Sequence, residues 1–175
     1  MTKILGDFEL DGFWDNSAYA LKEYIGREVT DADVASIESE LGYKLPRAYV
    51  ELIKAQNGGI PTRANHRTSE RTSWAADHVA ITGIFGIDRA KSSSLSGECG
   101  SQFWVDEWGY PPIGIYVCDC PSAGHDMICL DYSKCGPDGE PEVVHIDQES
   151  DYAITLVANN FESFLRGLDG DEAFL

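Results

Sequence analysis

The sequence predicts an α+β fold: one domain with a central mixed, largely antiparallel sheet, N-terminal helices and a C-terminal helix packed on it. Three observations carry this. Helical spacing with start and stop signals fills Thr30 to Gly59; four β-branched runs joined by turn compositions lie between His78 and Asp147; helical spacing returns at Thr155 to Leu168. Helices first, hairpin-linked strands next and a helix last is an α+β order, not alternating βαβ units.

Residues 1–13 read as a loosely packed tail ahead of a domain spanning 1–175. Asn16 to Tyr24 reads as a helix capped by Asp15 or Asn16. Thr30 can cap the next helix, with Asp31 and Asp33 in the first turn, where negative charge suits the unpaired amides. Val34, Ile37 and Leu41 recur at helical spacing and Gly42 supplies a left-handed stop. Pro46 fits the first turn of a third helix with Tyr49, Leu52 and Ile53 on its apolar face, and Asn57-Gly58-Gly59 ends it.

The periodicity then changes. His78–Ile87, Ile113–Asp119, Asp126–Asp131 and Glu142–Asp147 read as strands, the second and third joined by a CPSAG turn. Leu156, Val157, Phe161, Phe164 and Leu168 fall on one face of the closing helix. Pro61–Ser73, with Arg63, Arg67 and Arg71, and the Ser/Gly-rich Arg89–Gly100 read as loops.

With 175 residues, 43% of them hydrophobic, and a mean hydropathy of −0.25, the chain has the make-up of a soluble globular domain. No run approaches the ~20 apolar residues of a membrane helix. The opening MTKILGDFELDGFW lacks a signal peptide's apolar stretch, so the expected compartment is the cytoplasm. Charge is uneven: residues 92–175 carry two basic and sixteen acidic side chains, and the whole chain is −17. Such a balance argues against nucleic-acid binding, since phosphates are repelled, and favours a basic protein partner whose approach the field accelerates.

The five cysteines form neither a disulfide framework nor a metal site by spacing. The count is odd, and Cys118-x-Cys120 is not the Cys-x2-4-Cys of structural zinc. Buried thiols, no metal and no cofactor are the expectation.

Two segments concentrate chemistry-bearing residues. In the first, FWVDEWGYPP, Trp108 and Tyr110 stand beside Asp106 and Glu107. Aromatic anchors with carboxylate neighbours suit an interface that meets arginine or lysine, while Trp104 and Trp108, four apart, also suit packing over a sheet. The second is Gly124-His125-Asp126, with Asp119 and Asp131 near in sequence. A histidine among carboxylates can act as a general base or a metal ligand, and His145 and Asp147 on one strand face can join it. No nucleophile elbow, zinc-helix motif or phosphate loop accompanies them.

The order of residues in the helical region resembles the opening of the SUKH superfamily, named in part after a fungal regulator of cell-wall synthesis. Ile37, Leu41, Gly42, Leu45, Pro46, Tyr49, Leu52, Asn57, Gly58 and Gly59 occupy that family's positions, with Glu38 and Glu40 flanking its acidic one. The similarity continues through Gly100–Ser133 to the helix near Phe161. It implies a mixed sheet covered by helices and, for bacterial members, an immunity protein that neutralises a cognate toxin, often a nuclease, by binding. An acidic inhibitor can occupy a nuclease's basic face as a phosphate mimic.

The expected activity is therefore non-catalytic binding of a basic toxin domain, through Asp106, Glu107, Trp108, Tyr110, Asp119, His125, Asp126 and Asp131. The competing reading is a small hydrolase-type enzyme using His125 with Asp126 or Asp119. A scaffold like the fungal namesake fits less well, for want of long disordered flanks.

Overall fold

A computed structural model describes residues 2–175. Its organising element is a five-stranded sheet built as a meander of β5 (Gly83–Ile84), β6 (Gly114–Asp119), β7 (Asp126–Asp131), β8 (Glu142–Asp147) and β9 (Ala153–Ala158). Neighbours in the sheet are neighbours in sequence and each of its ladders is antiparallel, with one isolated parallel bridge, Gly86 to Ser94, outside the named strands. Bulges interrupt the β6–β7 register at Val117 and the β8–β9 register at Val157. β1 (Lys3–Ile4) and β2 (Phe8–Glu9) form a hairpin, and β3 (Asn65–Arg67), β4 (His78–Ala80) and β10 (Leu168–Asp169) form a small third sheet.

Local chemistry explains the helices. α1 (Ala18–Glu23) is capped by Ser17, one or two residues after the expected cap. α2 (Asp31–Leu41) starts in a capping box: Thr30 Oγ1 accepts from the Asp33 amide while the Asp33 carboxylate accepts from the Thr30 amide. It ends at Gly42, φ 81°, with the Leu45 amide donating back to Glu38. α3 (Arg47–Ala55) buries Ala48, Tyr49, Leu52 and Ile53.

The Asn57-Gly58-Gly59 sequence is a structural joint. The buried Asn57 side chain donates to the Arg27 carbonyl and accepts from the Ile87 amide, both at 2.8 Å. Gly58, at φ +86°, lets this turn approach the Gly86 backbone; a Cβ there would sit 2.6 Å from the Gly86 nitrogen. Gly59 then pairs with Ile84 at the sheet's short edge. Tyr49 reaches across the core to donate to the Phe85 carbonyl at 2.6 Å and packs edge-on against Phe161.

Three expectations are corrected. Residues 2–13 are not a loose tail, because Ile4, Phe8, Leu10 and Phe13 are buried in the core. The run 78–87 divides into β4 and β5, which belong to different sheets, with Ile81 and Thr82 crossing between them. The segment 155–168 is strand then helix: β9 pairs with β8, and α5 (Phe161–Gly167) starts only after Asn160, whose side chain accepts from the Ser163 amide at 2.8 Å. The β-branched Ile-Thr-Leu-Val run fits an unsatisfied sheet edge better than a helix, and tertiary pairing overrides its helical spacing. Among the described residues, no helix is long and apolar enough to cross a membrane.

Candidate functional site

The residues singled out from sequence fall in three different environments. β6 ends, and β7 begins, at the same end of the sheet at which β8 ends and β9 begins. The turns 120–125 and 148–152 therefore lie side by side there. α4 (Ser101–Asp106), a helix within what reads from sequence as an aromatic segment, delivers its C-terminal residues to the same place.

α4 is fixed by the sheet beneath it. Ser101 Oγ accepts from the Tyr116 amide at 3.0 Å, and buried Trp104 donates from its indole to the Cys99 carbonyl. Trp108 follows, half-buried, its ring centroid 5.5 Å from that of His125 in an edge-to-face arrangement. The Tyr152 hydroxyl donates to the Trp108 carbonyl, tying the 148–152 turn to α4. The Tyr110 hydroxyl donates to the Gly124 carbonyl at 2.6 Å, tying the 120–125 turn beneath it. Gly124, at φ +95°, makes room for Trp104, 2.7 Å from where a Cβ would stand.

His125 is exposed, with Nδ1 2.8 Å from Glu149 Oε1 and 3.1 Å from Gln148 Oε1. Ala123, Asp151 and Tyr152 all hold positive φ, 57°, 57° and 60°. Non-glycine residues in this region cost about 1–3 kcal/mol each and persist where surrounding structure holds them. These contacts gather Trp108, His125 and Tyr152 into one ridge, and the same segments carry the exposed carboxylates of Asp106, Glu107, Glu149 and Asp151.

Four of the eight expected residues belong to this ridge: Asp106, Glu107, Trp108 and His125. Tyr110 lies beneath it and is buried. Asp126 is buried too, and accepts from His145 Nε2 at 2.7 Å. Asp131 stands at the other end of β7, roughly 17 Å away by strand rise, buried and accepting from the Ser133 amide and hydroxyl. Asp119 faces the short edge, where Oδ2 accepts from Tyr24 at 2.6 Å and Oδ1 from the Gly83 amide at 3.1 Å. Burial pushes its carboxyl up to about 6, against those two hydrogen bonds, which pull it down. Tyr110, Asp126 and Asp131 thus hold the structure together and present no side chain to a partner.

Sequence reasoning missed Glu149, Asp151 and Tyr152. Their signal was the acidic, turn-forming Asp147-Gln-Glu-Ser-Asp-Tyr between two β-branched runs, which marks a hairpin once 153–158 is read as strand.

The carboxylate–histidine geometry bears on the enzyme reading. His125 and Asp126 are adjacent in sequence but belong to different surroundings: His125 meets Glu149 outside, Asp126 meets His145 inside. Cys120, Asp126 and His145 have ligand-type atoms within 4.8 Å of one another, all three buried. Within this group Asp126 accepts a hydrogen bond from His145, and burial pushes the Cys120 thiol well up, keeping it protonated. A surface concavity of about 510 Å³ is lined by Leu5, Arg47, Ala48, Glu140, Asn160, Glu162 and Ser163, and none of the expected site residues opens onto it.

A helix-covered antiparallel meander whose turns and α4 raise an acidic, aromatic ridge is the class of protein that this geometry defines. Residues 28–167 match the model of the SMI1 / KNR4 family (SUKH-1), and the chain belongs to that family. No curated protein matches the chain.

Proposed function

We propose that this protein is a non-catalytic immunity protein that neutralises a cognate toxin, a basic domain of nuclease type, by docking it on the ridge of Trp108, His125 and Tyr152. The observation that supports this best is that the segments carrying half-buried Trp108 and Tyr152, which meet through the Tyr152 hydroxyl, also carry four exposed carboxylates, Asp106, Glu107, Glu149 and Asp151, in a chain of net charge −17. Aromatic side chains supply contact area at small entropic cost, and the carboxylates steer and register a cationic face. The paired turns are cross-tied through Tyr110 and Tyr152, so the ridge is organised before a partner arrives.

The test is co-expression with a basic toxin domain of nuclease type, sought in the neighbouring genes, together with association kinetics. Association is expected to slow by at least about tenfold between ~50 and ~500 mM salt, because screening shortens the reach of the field. Asp106→Lys with Glu107→Lys lowers the on-rate and the protection of cells while leaving the melting temperature unchanged. A hydrolase centred on His125 has the opposite signature: His125→Ala abolishes activity and charge reversal is silent. Full protection by the charge-reversed variant, with protection lost in His125→Ala, overturns the docking account.

A further inference from the structure

The five-stranded sheet has two very different edges. β5 is two residues long, and its Ile84 is covered by the antiparallel bridge to Gly59. β9 is six residues long and pairs only with β8; no other backbone hydrogen bond reaches Ala153–Ala158 among the described residues. Edge strands are commonly guarded by lysine, proline or inward-pointing charge. β9 has none of these, and Ile154 and Leu156 are 49% and 45% exposed. The register places both on the sheet face of buried Ile146 and Val144, so they carry that apolar row out to the exposed edge.

We propose that β9 is the interface through which two copies of this chain pair, antiparallel, into a continuous ten-stranded sheet. Charge selects the occupant. The ten residues Tyr152 to Phe161 carry no charged side chain, in a protein with thirty acidic and thirteen basic ones. A basic partner is drawn to the carboxylate-rich faces, whereas two copies of an acidic chain can approach only where charge is missing. The strand is also self-complementary. Centring the two-fold on Thr155 sets Ile154 of each copy opposite Leu156 of the other, on one face, and sets Asp151 opposite Asn159, so no two carboxylates are opposed. The surviving obstacle is long-range repulsion between two strongly acidic bodies, so the dimer strengthens with salt, the reverse of docking to a cationic toxin. This pairing stands or falls independently of toxin binding.

The test uses the full chain in sedimentation velocity and light scattering, from about 5 to 200 μM, at ~50 and ~500 mM salt. The expected mass rises toward twice 19.3 kDa with concentration, with the larger dimer fraction at high salt. Ile154→Lys and Leu156→Glu are each expected to weaken dimerisation at least tenfold. Mixed one to one, they are expected to recover it, because the register sets the introduced lysine of one against the introduced glutamate of the other. Circular dichroism of each variant checks that it is folded. A wild-type protein monomeric throughout this range overturns the proposal. So does a dimer indifferent to both substitutions, or a mixture that stays monomeric.

Discussion

Asp119→Asn should change how stability depends on pH, by an amount the structure sets. In the folded protein this carboxyl lies against Tyr24 and the Gly83 amide, and burial lifts it from 3.8 to about 6. Between those values the folded state holds a proton that the unfolded chain has released. Stability attributable to Asp119 therefore falls as pH rises through that window and is constant above and below it. A shift of about 2 units corresponds to about 3 kcal/mol. Asparagine keeps an acceptor for Tyr24 or Gly83 and has no such window. Asp7, Asp33, Asp77 and Asp88 are shifted the other way by hydrogen bonds to Arg166, Arg27, His78 and backbone amides respectively, and contribute stability that grows with pH. They are common to both proteins and cancel in the difference. Urea titrations at half-unit steps from about pH 4 to 7 should show the variant gaining on the wild type by roughly 2–3 kcal/mol. A gap that stays flat across this range refutes the buried-carboxylate account of Asp119.

Gly58→Ala should be strongly destabilising, by about 2–5 kcal/mol, because a side chain at φ +86° is strained and its Cβ overlaps the Gly86 and Tyr24 backbones; a melting temperature within a degree or two of wild type contradicts the joint described for Asn57-Gly58-Gly59. Protein expressed in a reducing cytosol and purified without chelators should carry no stoichiometric zinc and no disulfide, with Cys118, Cys120 and Cys129 unreactive until unfolding because burial holds their thiols protonated; elemental analysis and thiol titration in native buffer check both, and about one zinc per chain contradicts the first.

The helical pair and three of the central strands were legible because their signals are local. A threonine cap with Asp33 three residues on, a glycine stop at Gly42, and alternating β-branched runs between turns each act within a few residues of chain. The α+β class follows from their order. Local spacing misled at 155–168, where strand and helix share one apolar pattern and the boundary lies in the Asn160 cap. It read Pro61–Ser73 as loop and so passed over β3, which is three residues long and pairs with distant partners.

For the site, sequence determined that carboxylates and aromatic residues are dense after residue 100; of the residues it singled out, Asp106, Glu107 and His125 are exposed and Trp108 is half-buried. Only the tertiary structure decided which acids face water. Asp126 and Asp131 lie on β7, the middle strand of five, where burial reaches both faces, so strand alternation alone assigns neither to the surface. Only the tertiary structure, too, brought Glu149, Asp151 and Tyr152 beside α4, because the meander stacks the 120–125 and 148–152 turns at one end of the sheet. Capping and alternation act between neighbours in the chain, whereas burial and adjacency depend on which strands pair, and pairing is settled by the whole core at once.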